Sequence, residues 1–153
     1  MKRIGDEYNN VSKQFKGDKT SNEFQKYMIK NSKVVEKSVH IWSDDTSFVV
    51  DEIEKLNNGE IKSIFKNKLD ISNLGIFGHS FGGATAGQAS LTDNRFKAFI
   101  NMDGIPYGDT VNNKVKQPFM ILTTGNTKNY IDQEYSKDQK NYFIVSINGT
   151  KHL

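Results

Sequence analysis

The sequence predicts an α/β fold, the C-terminal part of an α/β architecture with a mostly parallel sheet of about four strands and flanking helices. Three observations predict it. The run Leu74-Gly75-Ile76-Phe77-Gly78-His79-Ser80-Phe81-Gly82-Gly83-Ala84-Thr85 passes from a short apolar strand into a helix of small residues, with a serine at the break. Beyond it, apolar runs alternate with polar, turn-rich spacers in a βα rhythm. Ahead of it, the chain carries helical patterning and polar linkers but no strong strand.

Taken in order, Thr20 with Glu23 reads as a capping box for a helix carrying Phe24, Tyr27 and Met28. Asp44 or Asp45 reads as the cap of a second helix, with Phe48, Val49, Ile53 and Leu56 on one face and its end at Asn57-Asn58-Gly59. Leu74, Ile76 and Phe77 read as a central strand covered on both faces. The following helix is expected from Gly83 to Leu91, where Ala84, Ala86, Gly87 and Ala89 are small enough to lie close on a sheet. Strands are expected at Ala98 to Met102, Pro118 to Thr123 and Tyr142 to Ile147, with a short helix around Tyr130 to Tyr135. The chain is expected to form a single partial domain over residues 1–153, with 1–60 a mainly helical lead-in and 61–153 the βα units.

Composition narrows the function. The net charge is +3 and the lysines are scattered among Asn, Asp and Glu, which speaks against a nucleic-acid partner. There is no cysteine, so disulfides and thiolate metal sites are excluded, and no metal or other cofactor is expected. No apolar stretch approaches the roughly 18 residues of a membrane span.

The chemistry lies in Gly78-His79-Ser80-Phe81-Gly82, the G-x-S-x-G pattern of the α/β-hydrolase nucleophile elbow. A tight turn there lifts the serine hydroxyl clear of the sheet and aims the Phe81 backbone N–H at a developing oxyanion. Gly78 and Gly82 are expected at positions where a Cβ would collide, and Ser80 in strained backbone. A serine so placed needs a base and the base an orienting acid, in the chain order Ser, Asp or Glu, His. His152 follows the last strand and is the expected base. His79 adjoins Ser80 but is expected to point elsewhere, and His40 reads as a surface residue. Asp103, Asp109 and Asp132 are the candidate acids. Asp103 follows a strand tip and precedes Gly104, so it is preferred; Asp132 is the fallback, and Asp109 beside Gly108 reads as a turn residue. Phe81, Ile105, Pro106 and Tyr107 are candidates to border an acyl site.

The segments Trp42 to Asp51, Gly78 to Thr85, Arg95 to Ala98 with Asn101-Met102-Asp103-Gly104, and Gln117 to Met120 resemble the platelet-activating factor acetylhydrolase family, the plasma type and its bacterial relatives. The resemblance runs in order from about Trp42 to His152. It implies an α/β-hydrolase and a metal-independent, secreted or membrane-associated serine esterase that removes short acyl chains from glycerophospholipids. It also implies Ser80 as nucleophile, Asp103 as acid and His152 as base. Small acyl-ester or phospholipid substrates and contact of the parent protein with a membrane surface are the expected partners, with no expectation for the oligomeric state. The family's N-terminal strands and the loop donating a second oxyanion N–H are expected upstream of Met1. Loss of that donor alone costs about 2.7–4 kcal/mol of transition-state stabilisation, so this stretch by itself is expected to be nearly inactive. The alternatives are an inactive remnant or binding module, or a hydrolase of thioesters, polyesters or other non-phospholipid esters.

Overall fold

The structure is a computed structural model that describes residues 2–19, 21–124 and 141–152. Three helices come first: α1 (Lys2–Gln14), α2 (Asn22–Asn31) and α3 (Lys33–Asn58). The βα segment follows as β1 (Leu74–His79), α4 (Phe81–Thr92), β2 (Phe96–Met102), β3 (Phe119–Thr124) and β4 (Tyr142–Ile147). All four strands are parallel and lie in the order β1-β2-β3-β4, the α/β arrangement expected. The short helix expected around Tyr130 to Tyr135 lies outside the described residues.

The helical segment differs from its sequence reading at two points. α2 is capped by Ser21, whose Oγ accepts the Phe24 N–H at 3.1 Å. Ser21 is extended and sits three residues before Phe24, the spacing a capping hydroxyl needs; Thr20, the expected cap, lies outside the described residues. Asp44 and Asp45 begin nothing, because α3 already starts at Lys33 and runs unbroken for 26 residues. Its buried stripe is Val35, Val39, Ser43 and Val50, spaced for one helix face. Phe48 and Val49, expected to face inward, are 61% and 53% exposed. The end of α3 is as expected: Gly59 takes a left-handed φ of 88°, which stops the helix without a Cβ penalty.

Helices and loops cover one face of the sheet. Phe99, Phe119 and Ile121 are buried there with Val115, while Val50 of α3 and Ala89 of α4 close over Phe96. A second cluster joins Val11, Phe24, Met28, Val35 and Val39 of the three helices to Ala84 of α4 and to Tyr107. The opposite face is more open among the described residues. Phe77 is 71% and Phe143 65% exposed, with Val145 and Ile147 on the same side. β1 is thus half covered rather than doubly covered. Among the described residues it pairs with β2 alone, and the described crossover helix, α4, covers one of its faces.

Arg95 fastens α3 to the turn between α4 and β2. Its guanidinium meets Asp93 at 2.6 Å, Asp51 at 2.6 Å and Glu54 at 3.3 Å, and donates to the Ser47 carbonyl. The hydrogen bonds from Arg95 hold the Asp93 carboxyl down to about 2, from an ordinary value of 3.8. Because the folded value is depressed, this pairing contributes its full stability above pH 3.8 and loses it as pH falls through about 2. Arg95→Met leaves Asp93 without its charge partner. It should lower unfolding free energy by about 2 kcal/mol at neutral pH, with the difference from wild type shrinking in that acid window in denaturant titrations.

Candidate active site

Three side chains expected from sequence to act together meet at the carboxyl edge of the sheet. Ser80 Oγ lies 2.9 Å from His152 Nε2, and His152 Nδ1 lies 2.7 Å from Asp103 Oδ2. Each comes from a different strand end: Ser80 after β1, Asp103 after β2, His152 after β4. The Asp103 side chain is 12% exposed and that of His152 44% exposed, so the chain of contacts runs from the interior toward solvent.

The local backbone explains how these residues reach that edge. Ser80 has φ 55° and ψ −122°, a conformation an L-residue adopts only when its surroundings enforce it. The enforcement is visible: the Ser80 N–H donates to the Met102 carbonyl, and the Ser80 carbonyl accepts from Gly83 N–H. A Cβ at Gly78 would strike the Gly82 carbonyl, and one at Gly83 would strike the Asn101 side chain. Gly82, expected to be obligatory for the same reason, would bear a Cβ with nothing within 4 Å. Its role in the close approach is played by its carbonyl.

Asp103 also has a positive φ, 55°. The fully buried Asn101 secures this turn by donating to the Gly104 carbonyl at 3.0 Å and accepting the Gly104 N–H at 2.8 Å. A Cβ at Gly104 would meet the Ser80 carbonyl, so the serine turn and the aspartate turn lie directly against each other. Asp103 Oδ1 accepts the Thr124 N–H at 3.1 Å, which leaves Oδ2 for His152. Asn101 and Thr124 carry no role in the sequence reading. The signal for Asn101 was present in its spacing to the Asp-Gly pair, whereas Thr124 is brought in by the β2–β3 register alone.

The remaining predicted residues fall as follows. The Phe81 N–H opens α4 beside Ser80 and makes no hydrogen bond among the described residues; at a helix N-terminus such a donor favours negative charge. Its ring packs edge-on to Trp42, with centroids 4.7 Å apart. His79 stacks on the His152 ring at 5.0 Å. Asp109 is held by Gln88, whose side chain both accepts its N–H and donates to its carboxylate, and it lies 3.9 Å from His40. It belongs to a structural turn, as read from sequence. Asp132 lies outside the described residues. Among the described residues no group of acids and histidines is arranged to hold a metal ion, and no helix is long and apolar enough to cross a membrane.

A cleft of about 530 Å³ opens over Ser80, Asp103 and His152. Phe81, Ile105 and Tyr107 line it, three of the four residues expected to border an acyl site. Facing them are Ile4 and Tyr8 of α1, Phe24 and Gln25 of α2, and Val35 of α3.

A parallel sheet with a serine on a strand-to-helix turn, met at the sheet edge by residues from later strands, defines the α/β-hydrolase fold. A ferulic acid esterase from Streptomyces cinnamoneus superposes with a TM-score of 0.60 at 20% identity, over 77% of this chain and 34% of that one. The sequence model of the family described as platelet-activating factor acetylhydrolase, isoform II, matches residues 51–153, and the chain belongs to that family. It is 32% identical to a platelet-activating factor acetylhydrolase of Cavia porcellus over 93 residues, 57% of this chain and 21% of the relative. The corresponding protein of Bos taurus is 38% identical over 61 residues, 39% of this chain and 14% of the relative. The matched stretch therefore spans about a fifth or less of these relatives.

The glycines separate steric need from habit. Gly78→Ala should unfold or rearrange the turn, whereas Gly82→Ala, in a helical position with open space, should change stability by less than about 1 kcal/mol. Thermal melts of the two variants check this contrast.

Proposed function

We propose that the protein of which this chain is part is a serine carboxylic-ester hydrolase, resembling platelet-activating factor acetylhydrolases in acting on phospholipid or other small acyl esters. The observation that carries the reading is the continuous contact from Ser80 Oγ through the His152 ring to the Asp103 carboxylate. In this reading Ser80 is the nucleophile of an elbow, His152 the base and Asp103 the acid of a catalytic triad. Ser80 attacks the ester carbonyl as His152 Nε2 takes its proton. The oxygen that becomes negative is held by the Phe81 N–H. Asp103 accepts from His152 Nδ1, fixes the tautomer that leaves Nε2 free, and stabilises the imidazolium once formed. His152 then protonates the departing alcohol. A water, deprotonated by the same nitrogen, releases the acyl group and restores the serine.

The distance pattern favours this order over Asp109 as acid, since Asp109 is engaged by Gln88 on another part of the fold. Metal-free acyl transfer needs nothing beyond these groups and oxyanion donors. The supporting facts are family membership and the α/β-hydrolase fold; the phospholipid substrate class comes by likeness to the named relatives.

A fluorophosphonate probe should label the full natural protein, and Ser80→Ala should abolish labelling. Retained labelling in that variant, or none in the wild type, would overturn the reading. Asp103→Asn keeps the shape but permits the wrong imidazole tautomer, and should lower kcat by roughly 10⁴ by analogy with serine proteases. Steady-state kinetics on p-nitrophenyl acetate measures it.

A further inference from the structure

The cleft over Ser80 has two walls of different origin. One is the strand-end side, with Phe81, Ile105 and Tyr107. The other is built by α1, α2 and the start of α3, and all of it precedes residue 51, where the match to the family begins. Ile4, Tyr8, Phe24 and Val35 give this second wall its apolar surface, bordered by the polar Asn9 and Lys19. Within it sits Gln25, 7% exposed, whose side-chain amide has no hydrogen-bond partner among the described residues. The amide reaches the cleft, and a side-chain amide that lines a cleft without a protein partner is positioned to bond to what enters it.

The wall is fixed in place. Glu7 of α1 accepts the Val35 N–H at 2.8 Å and so caps α3, and the Phe15 ring packs against Phe24 and Tyr27 with centroids near 5.4 and 5.3 Å. Ile4 packs on the same cluster as Phe81 and Ile105. At about 530 Å³ the cleft falls in the size range of sites for drug-sized ligands and far exceeds a two-carbon acyl group.

We propose that α1 and α2 form a substrate-recognising wall, in which Ile4, Tyr8 and Phe24 receive an aliphatic chain of the ester and the Gln25 amide N–H donates to a substrate oxygen outside the reacting carbonyl. The proposal rests on the hydrolase reading above and adds to it the residues that select the substrate. The aliphatic chain sits on the acyl side or on the alcohol side of the ester. Gln25 is a binding residue, so its loss should raise KM more than it lowers kcat.

The test uses the full natural protein with two substrate series: p-nitrophenyl esters from acetate to octanoate, and straight-chain alkyl acetates from methyl to octyl. Burial of one methylene is worth roughly threefold to fourfold, so kcat/KM should rise at least tenfold along one series or both. The series that rises identifies which side of the ester carries the chain. Ile4→Trp, or Ile4→Phe if melting shows the tryptophan to unfold α1, should cut the ratio of longest to shortest substrate at least fivefold. Gln25→Leu should raise KM threefold or more with a smaller effect on kcat, and Gln25→Asn should recover part of it. Flat profiles in both series, or variants with the wild-type profile, in protein whose Ser80 still labels with fluorophosphonate, overturn the wall and leave the hydrolase reading standing. Absence of labelling overturns both.

Discussion

The constraint on which the site depends is the close crossing of two backbone turns, one after β1 and one after β2. Ser80 and Asp103 both take positive φ values, each costing on the order of 1–3 kcal/mol in an unsupported chain. Neither turn stands alone. Gly104 offers no Cβ to the Ser80 carbonyl, Gly83 offers none to Asn101, and the Ser80 N–H bonds to the Met102 carbonyl. Each strained residue therefore stabilises the geometry of the other, and the neutral amide of Asn101, wholly buried, ties the crossing together through Gly104. An aspartate at Asn101 would lack the donor that the Gly104 carbonyl requires.

Long-range polar contacts then join this crossing to the helices above it. Glu7 reaches from α1 to the start of α3, and Glu36 of α3 accepts the N–H of Gly108 in the loop after β2. Arg95 joins α3 to the far end of α4. These contacts bridge elements distant in sequence, and they hold the helical wall at a defined distance from the strand ends. Tyr107 lies at the junction. Its hydroxyl is buried near that of Ser32 and meets no hydrogen-bond geometry among the described residues, and burial pushes its pKa above the ordinary tyrosine value. It contributes to the junction as an apolar ring.

Much of the sheet was legible in the sequence because its signals are local. Tyr142 to Ile147 is a short run of aromatic and β-branched residues bounded by polar spacers, the local mark of a strand, and the glycine-rich turn at Ser80 is as local a signal. The meeting of Ser80, Asp103 and His152 follows from chain order once parallel pairing is assumed. The helical half was read less well. Val35 and Val39 pack with Val11 of α1 and with Tyr107, so the first turns of α3 are held by tertiary contacts, and the helix continues through Asp44 and Asp45, where local propensity suggested a start. Phe48 and Val49 look like core residues by type, yet both lie off the buried stripe of Val35, Val39, Ser43 and Val50 and are exposed. The wall of the cleft was invisible for the same reason: nothing local in Ile4 or Gln25 reveals what they face.

Leaving Phe77, Phe143, Val145 and Ile147 in water has a consequence for how the sheet comes apart. At about 25 cal/mol per Å², each 100 Å² of apolar surface that stays wet forgoes about 2.5 kcal/mol of cohesion. β1 and β4 bear most of that deficit, and among the described residues each has a ladder partner on a single flank. On warming, fraying should begin at the rims and move inward, with amide protons of β2 and β3 exchanging last. Since Ser80 and His152 follow the two strands at the rims of the described sheet, the meeting of Ser80, Asp103 and His152 in this stretch by itself would dissolve while the middle of the sheet is still intact.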